Sequence, residues 1–368
     1  MKVKDLFAKD IFRPINGVVK AEQQDESTVW QELDEFVVTR ELTGHIGVWV
    51  SGFFGSGKSH FIKILSYVLH NQPHTHDGQT KQAIDFFQEK IPDPLTFTDI
   101  KAAGASQTEV ILFNIDSRAD TRAGRDAILA VFLKVLNELE GYCSEHPYIA
   151  HMERHLDEKQ QLAAFEAEFE RLTGSPWKQE RDAYAFTRDE VIQAFSTALG
   201  QSQESAERWV DNAEDAYTLS VESFCHDVKA YLDRRGPDLR LVFLVDEVGA
   251  FIGTDGGRML NLQTIVENLG TVCRGRAWVV VTSQEDLDKV LGEMPRSAQN
   301  DFSKIQGRFT TRLSLSSANV DEVIQQRLLA RRDDPAIADW LTATYTAAGN
   351  VLANQLSFSQ CGMTFPTF

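Results

Sequence analysis

Residues 48–61 read VWVSGFFGSGKSHF, an apolar run that ends in a glycine-rich loop and a lysine. The run from Ile46 to Val50 predicts a short strand buried on both faces, as in the centre of a parallel sheet. Apolar residues at helical spacing follow between His60 and His70 and predict a helix. The glycines between these two elements contribute no packing, so we infer that the loop acts through its backbone.

The loop matches the phosphate-loop pattern of a glycine, four residues and Gly-Lys-Ser, with Gly52, Gly57, Lys58 and Ser59 at the defining positions. Glycines let backbone N–H groups approach an anion closely, and the following helix adds the positive end of its dipole. Lys58 is expected to bridge the β and γ phosphates of a nucleotide, and Ser59 is expected to bind magnesium. A glycine turn without a ligand is the alternative, which the flanking strand and helix disfavour.

A second motif lies in Leu241-Val-Phe-Leu-Val-Asp-Glu247. This apolar strand delivers Asp246 at its carboxyl end, where the carboxylate can hold magnesium through water, and Glu247 can polarise an attacking water. Ligands of open parallel sheets bind at the carboxyl ends of the strands. Acidic residues at a strand end are weak evidence by themselves, but together with the phosphate loop they indicate a nucleotide-hydrolysing site.

Two later segments supply further candidates. The strand predicted at 278–282 is followed by Gln284, which we expect to orient the water or to sense the γ phosphate, with Ser283 as the second choice. A plain strand-end turn is the alternative. Arg308 and Arg312 follow at a position where an arginine could reach the nucleotide of a neighbouring subunit, and surface solvation is the alternative for both.

The alternation of strands and helices predicts an α/β fold with a parallel sheet covered by helices. Further strands are predicted at 109–116 and 309–315. A polar loop over 70–81, a helix over 82–90 and a loop around Pro92 and Pro94 are predicted before the first of these two strands. A capping box is predicted at 187–190. The predicted division is an N-terminal linker and leading helix at 1–45, a first core half at 46–147, a helical insertion at 148–235, a second core half at 236–317, and the start of a helical lid with an atypical tail at 318–368.

Composition narrows the class of protein. The 368 residues are 42% hydrophobic, carry a formal charge of −17 and include four cysteines without paired spacing. This charge argues against broad electrostatic capture of nucleic acid. The absence of a long apolar run predicts a cytoplasmic chain with reduced thiols and no membrane partner. His151 and His155 stand four apart, but HMERH lacks the glutamate position of the zinc-protease motif, which disfavours a metal site.

Several segments together resemble one known family. They are DIFRPINGVVK at 10–20, WQELDEFVVTREL at 30–42, GFFGSGKSH at 52–60, Asp246-Glu247, and VTSQE at 281–285. They look like the amino-terminal ATPase region of the BrxC family, called PglY in a sister system, which comprises the large P-loop proteins of bacterial BREX phage-exclusion loci. The resemblance runs through most of residues 1–340. Because family members are far longer, we expect this chain to be an amino-terminal portion with an atypical ending at 357–368.

The resemblance implies a P-loop ATPase of the AAA-like, additional-strand class that uses ATP and magnesium and acts with a methyltransferase and a phosphatase-like protein. Direct DNA contact and a homo-oligomer are left open. The implied nucleotide-binding residues are Gly52, Phe53, Phe54, Gly55, Ser56, Gly57, Lys58, Ser59 and His60. The implied magnesium ligands are Ser59 and Asp246, and the catalytic candidates are Glu247, Lys58, Gln284 and Arg308.

Two other functions remain open at this point. A nucleotide-dependent assembly scaffold would bind ATP through the same loop but hydrolyse it little. A kinase-like phosphotransferase is disfavoured because no second substrate pocket is indicated.

Overall fold

The computed structural model describes residues 46–76, 79–88, 91, 94–119, 124–293 and 307–315, together with residues 340, 343, 344 and 347. The chain divides into two units, Met1–Ala318 and Asn319–Phe368. All elements below belong to the first unit. The predicted leading helix before residue 46 and the predicted helical lid lie outside the described elements, so both stay predictions.

The strands of the described part are β1 Gly47–Gly52, β2 Pro73–His76, β3 Gln79–Gln82, β4 Thr108–Asn114, β5 Arg240–Asp246, β6 Ala277–Ser283 and β7 Thr311–Leu315. Five of them form one parallel sheet in the order β4-β5-β6-β1-β7. Strands β2 and β3 form a separate antiparallel hairpin.

The α-helices of the described part are α1 Lys58–His70, α2 Pro94–Ala105, α3 Ala127–Glu140, α4 Pro147–Glu158, α5 Leu162–Thr173, α6 Trp177–Glu180, α7 Arg188–Leu199, α8 Gln203–Ala216, α9 Val221–Arg235, α10 Val248–Ile252, α11 Gly256–Val272 and α12 Leu287–Glu293. Within these described ranges, no helix has the length and apolarity that crossing a bilayer requires.

Helices cover the sheet on both of its faces. Every residue of β1 and β6 is buried, and so are the five central residues of β5. Since successive side chains of a strand point to opposite faces, such continuous burial requires cover on both sides. Helix α1 packs against β4 and β5, and α11 packs against β6. The predicted α/β fold with a helix-covered parallel sheet is therefore confirmed.

Helices α4 to α8, residues 147–216, form what we call the helical block, and they have an apolar core of their own. At its centre Trp177 is buried against Phe165 and Phe169, each ring centroid 5.0 Å away in an edge-on arrangement. Aromatic pairs prefer this geometry because the positive ring edge meets the negative ring face. The helical block is thus a second packing unit beside the sheet.

The predicted insertion extends to residue 235 and so includes α9, which packs differently from the helical block. Helix α9 buries Phe224, Val228 and Leu232 in the same core as the sheet, not in the core of the helical block. The polar and apolar periodicity of α9 resembles that of the preceding helices, so sequence alone does not show which core receives its apolar face. Helix α9 belongs with the layers that cover the sheet.

A buried ion network joins the helical block to α3 and α9. Arg154 of α4 donates to Glu140 Oε2 at 2.6 Å and to Asn137 Oδ1 at 2.9 Å on α3, and it lies 3.2 Å from Asp227 of α9. The side chains of Arg154 and Glu140 are 5% and 2% exposed, and Glu140 also pairs with Arg234. Burial raises the pKa of the Glu140 carboxyl, while Arg154 acts to lower it. The charges at this junction are therefore neutralised by one another.

The five predicted strands of the sheet are all present, but three local predictions were wrong. The polar segment predicted as a loop over 70–81 contains the β2–β3 hairpin. The helix predicted over 82–90 is a 3₁₀ turn at Ala83–Phe87. Pro94, predicted to lie in a loop, begins α2, because a proline fits the first turn of a helix, where its missing N–H costs nothing.

The predicted capping box at 187–190 is also absent. Helix α7 begins at Arg188, but the Thr187 side chain makes no capping hydrogen bond. Its hydroxyl donates instead to the Tyr184 carbonyl at 3.3 Å. A 3₁₀ helix over Arg181–Thr187 runs directly into α7, so the threonine turns back toward that helix.

We expect Arg154→Met to lower the free energy of unfolding by about 3–5 kcal/mol at neutral pH, because Glu140 and Asp227 keep buried charges and lose a partner. The folded-state pKa of Glu140 is already raised, and loss of Arg154 raises it further. A carboxyl of this kind stabilises the folded state below its unfolded pKa and loses that effect as pH rises through its folded pKa. The deficit should therefore be smaller in acid than at neutral pH, as urea unfolding at several pH values can measure.

Arg171→Met is the matched control, because the ion pair of Arg171 with Glu168 lies on the surface, where Arg171 is 61% exposed. Exposed pairs contribute little, so this variant should unfold like the parent. A deficit in Arg154→Met that is no larger than the control, or that grows toward acidic pH, would contradict the expectation.

Candidate functional site

The glycine loop, residues 52–59, leaves β1 and enters α1 through a backbone that other residues would not adopt. Gly55 and Gly57 have φ of 82° and 90°, in the left-handed region that favours glycine. A Cβ on Gly52 would lie 2.7 Å from the Leu315 carbonyl oxygen and 2.5 Å from Ser56 Oγ. The loop therefore curls closely over the end of β1, as the sequence pattern predicted.

Lys58 folds back over this loop. Its Nζ donates to the carbonyl oxygens of Gly52 at 2.7 Å and of Phe53 at 3.0 Å. In contrast, Phe53 and Phe54 point outward and are 72% and 91% exposed. The ammonium group thus sits at the centre of the loop, while the two aromatic rings lie at its outer surface.

The acidic pair reaches the same edge of the sheet. Val50 pairs with Thr282, and Val245 pairs with Val281, so Asp246 stands at the level of Val50. Two strand spacings, about 10 Å, separate β1 from β5. The carboxyl ends of β5, β6 and β1 therefore present the acids and the glycine loop on one side of the sheet.

Thr282 of β6 fixes the orientation of Asp246. Its hydroxyl donates to Asp246 Oδ1 at 2.5 Å and accepts a hydrogen bond from the backbone N–H of Glu247 at 2.9 Å. Thr282 is fully buried, so water does not compete for these bonds. The strand that lies between β5 and β1 thus holds both the side chain of Asp246 and the turn that follows it.

Glu247 is directed the other way, toward β4. Its backbone is left-handed, with φ of 63°, a conformation that is uncommon for a residue other than glycine. Asn114, at the end of β4, donates its side-chain Nδ2 to Glu247 Oε2 at 3.0 Å. Strained backbone of this kind often occurs at functional sites. The two neighbouring acids are therefore held by different strands.

The pKa of Lys58, a residue of the glycine loop, is affected by the acidic pair. Burial lowers the pKa of its ammonium group, whereas Asp246 and Glu247 both act to raise it. Such electrostatic action requires the carboxylates to lie near the amine. The glycine loop and the acidic pair, predicted from distant parts of the sequence, are thus brought together.

This arrangement suits an anion with a divalent cation. Ser56 Oγ is buried in the loop and, within the described residues, has no hydrogen-bond partner, so an added oxygen could satisfy it. The N-terminus of α1 favours negative charge. Ser59 is exposed in the first turn of α1, and with Asp246 it offers the oxygen donors that Mg²⁺ prefers. The residues therefore fit a magnesium-bound phosphate group.

The remaining predicted residues divide into two groups. Gln284 follows β6 and is exposed at the edge that carries the acids, and His60 is half-buried in the first turn of α1. Arg308 lies elsewhere: a Cβ on Gly47, at the amino end of β1, would lie 2.4 Å from its carbonyl oxygen. The glycine loop is at the other end of this strand, about 17 Å away.

The guanidinium groups of both predicted arginines have other partners. Arg308 is bound to Glu267 of α11 at 2.5 Å, and Arg312 is bound to Asp288 at 2.8 Å. Arg308 therefore lies away from the site of its own chain, because a residue that precedes a parallel strand lies at the sheet edge opposite the carboxyl ends. The expectation that Arg308 reaches the nucleotide of a neighbouring subunit stays a prediction.

Sequence reasoning missed Asn114 and Thr282. Each is a polar residue that follows an apolar run near the carboxyl end of its strand, after VILF in β4 and after WVVV in β6. In a parallel sheet such positions meet at the ligand-binding edge, so this pattern could have indicated both residues. The hydrogen bonds of Asn114 and Thr282 to the acidic pair form only because β4 and β6 lie on either side of β5. The sequence does not show this strand order.

Comparison with protein-family models finds no match for this chain, and no solved structure matches it. The site is therefore interpreted from its own geometry.

We expect Thr282→Val to lower the free energy of unfolding by about 1–3 kcal/mol, because it removes a buried hydroxyl on which Asp246 and Glu247 depend. Thr282→Ser is the matched control, since it keeps the oxygen and should recover most of the loss. Urea unfolding without nucleotide measures both variants. Equal stabilities for valine and serine at this position would show that the hydroxyl does not hold the acidic pair.

Proposed function

We propose that this chain binds ATP with magnesium at the glycine loop and hydrolyses it. The observation that carries the proposal is the parallel register of β5, β6 and β1, which brings Asp246 and the glycine loop to one edge of the sheet. At that edge both Asp246 and Glu247 act to raise the pKa of Lys58. A phosphate loop explains the glycines, and a neighbouring acidic pair explains how metal and water could be handled at the same place. Either motif alone would be weaker support.

We also propose that the fold is a P-loop NTPase of the AAA-like, additional-strand class. The support is the strand order β4-β5-β6-β1-β7. It sets one strand, β6, between the strand that enters the glycine loop and the strand that ends in Asp246. The additional-strand class is defined by this insertion, and its glutamate follows the acidic strand as Glu247 does.

Each residue has a distinct part in the proposed reaction. Lys58 exchanges the carbonyls of Gly52 and Phe53 for oxygens of the β and γ phosphates. Ser59 and Asp246 would hold magnesium, which would supply positive charge to neutralise the phosphates. Glu247 accepts a proton from the water that attacks the γ phosphorus, and Gln284 lies at the same edge, where it can orient that water.

At the level of the cell, we propose a role in BREX phage exclusion, as a part of a BrxC-type protein that acts with a methyltransferase and a phosphatase-like partner. The support is the resemblance carried by residues 10–20, 30–42, 52–60 and 281–285. In this role the nucleotide state would control engagement of partners or DNA.

A second candidate is a nucleotide-dependent switch with little hydrolysis. The hydrogen bond from Asn114 to Glu247 favours it, because a glutamate held by an amide donor is less available as a base. Nucleotide binding through Lys58 is common to both candidates. Only the role of Glu247 separates them.

Lys58→Ala should weaken ATP binding by at least about 10- to 100-fold, because it removes a charged donor to the phosphates. Titration with a fluorescent ATP analogue measures this loss, and Lys63→Ala, which removes a lysine from the same helix outside the loop, should bind like the parent. In cells, the same Lys58 variant should lose phage exclusion. Normal binding would argue against the loop as a nucleotide site, and normal protection would argue against a role for ATP.

Glu247→Gln should lower steady-state ATP hydrolysis by about 10²- to 10⁴-fold, the usual contribution of general base catalysis. ATP binding by this variant should stay close to that of the parent, since Lys58 and the loop are unchanged. Phosphate release and nucleotide titration measure the two quantities separately. A parent that hydrolyses ATP no faster than the glutamine variant would support the switch instead.

A further inference from the structure

An open cleft of about 730 Å³ lies where the helical block meets α9. Its walls come from α4, α8, the segment that joins α8 to α9, and the first turns of α9. One stripe of α8 lines it at helical spacing, with Ser205, Arg208, Trp209 and Asn212 among its members. A cavity of this size matches the sites at which proteins bind ligands or several side chains of a partner. The glycine loop contributes no residue to it.

The cleft is rich in aromatic rings. Tyr148 of α4, Trp209 of α8 and Tyr217 of the connecting segment line it together with the imidazole of His151. The rings of His151 and Tyr217 lie 6.0 Å apart, tilted by 56°. Burial and the nearby Arg154 lower the pKa of His151, which favours the neutral form of its ring. Aromatic rings in this number favour a cation, which interacts with their negative faces.

Acidic residues stand beside these rings. Asp227 is the carboxylate in the wall of the cleft, and it pairs with the buried Arg154 at 3.2 Å. Glu214 is exposed on α8, the helix that supplies the lining stripe, and it acts together with burial and Tyr184 to raise the pKa of Tyr148. The negative charge near the cleft therefore comes mainly from residues next to its lining.

The wider surroundings are acidic as well. The helical block contains fifteen Asp and Glu residues against seven Lys and Arg residues, a formal charge of −8. Helix α8 alone carries five acids and one arginine, Arg208. A nucleic acid would meet repulsion here, whereas a basic ligand would be attracted. In the lining itself Arg208 opposes a cation, and the imidazole of His226 lies there as well.

We propose that this cleft is a docking site for a basic peptide segment of a protein partner, with a Lys or Arg side chain seated beside Tyr148 and Tyr217, because the ring of Trp209 already stacks on Phe195 and His155. Charge complementarity and the aromatic lining select this occupant. The proposal does not rest on nucleotide hydrolysis, because no residue of the glycine loop or the acidic pair takes part.

The test uses the full chain and a fluorescein-labelled hexa-arginine peptide, with binding followed by fluorescence anisotropy at constant salt. Glu214→Gln and Tyr217→Leu should each weaken binding by about two- to fivefold. Arg208→Gln should strengthen it by a similar factor, because it removes the opposing charge. Glu170→Gln is the matched control: it makes the same charge change on α5, which does not line the cleft, and should bind like the parent.

Three results would overturn the proposal. One is absence of hexa-arginine binding by the parent chain. Another is equal weakening by Glu170→Gln and Glu214→Gln, which would indicate diffuse attraction to an acidic surface. The third is evidence for an anion site. Such evidence would be weaker hexa-arginine binding after Arg208→Gln, or tighter binding of hexa-glutamate or single-stranded oligothymidine than of hexa-arginine. Thermal unfolding of each variant shows that the fold is intact.

Discussion

The half-buried ammonium group of Lys58 depends on charges that the chain supplies from a distant segment. Burial disfavours its charged form, while the carboxylates of Asp246 and Glu247 favour it. Their approach depends on the parallel register of β5, β6 and β1, which carries all three carboxyl ends to one edge. If this register slipped by one residue, inward and outward side chains would exchange faces and the charges would separate. Sheet pairing is therefore the constraint on which the site is built.

Register alone does not orient two adjacent acids differently. Neighbouring residues in a strand point to opposite faces, and the left-handed backbone of Glu247 adds a sharp turn just after Asp246. As a result, Asp246 is held from β6 by Thr282 and Glu247 is held from β4 by Asn114. Two different neighbouring strands thus orient the side chains of the adjacent residues Asp246 and Glu247.

The parts of the fold that were predictable are those whose signals are local. The apolar strands and the glycine loop each depend on a few consecutive residues. The roles of Asn114 and Thr282 were not predictable, because they depend on which strands are neighbours. The core that receives α9 was not predictable either, because burial of Phe224 depends on packing between segments. The resemblance to the BrxC family adds expectations that the geometry neither requires nor contradicts.

Helix α9 is the element through which the helical block could act on the site. Its apolar face packs in the core of the sheet, while Asp227 and Arg234 bind the network around Arg154 and Glu140. The chain then continues from α9 into β5, which ends at Asp246. A buried ion network resists partial opening, because a charge left without its partner is costly. A ligand that binds between the helical block and α9 could therefore influence the acidic pair only under one condition. It would have to bind with different affinity to the state in which the ion network around Arg154 is formed and to the state in which it is broken.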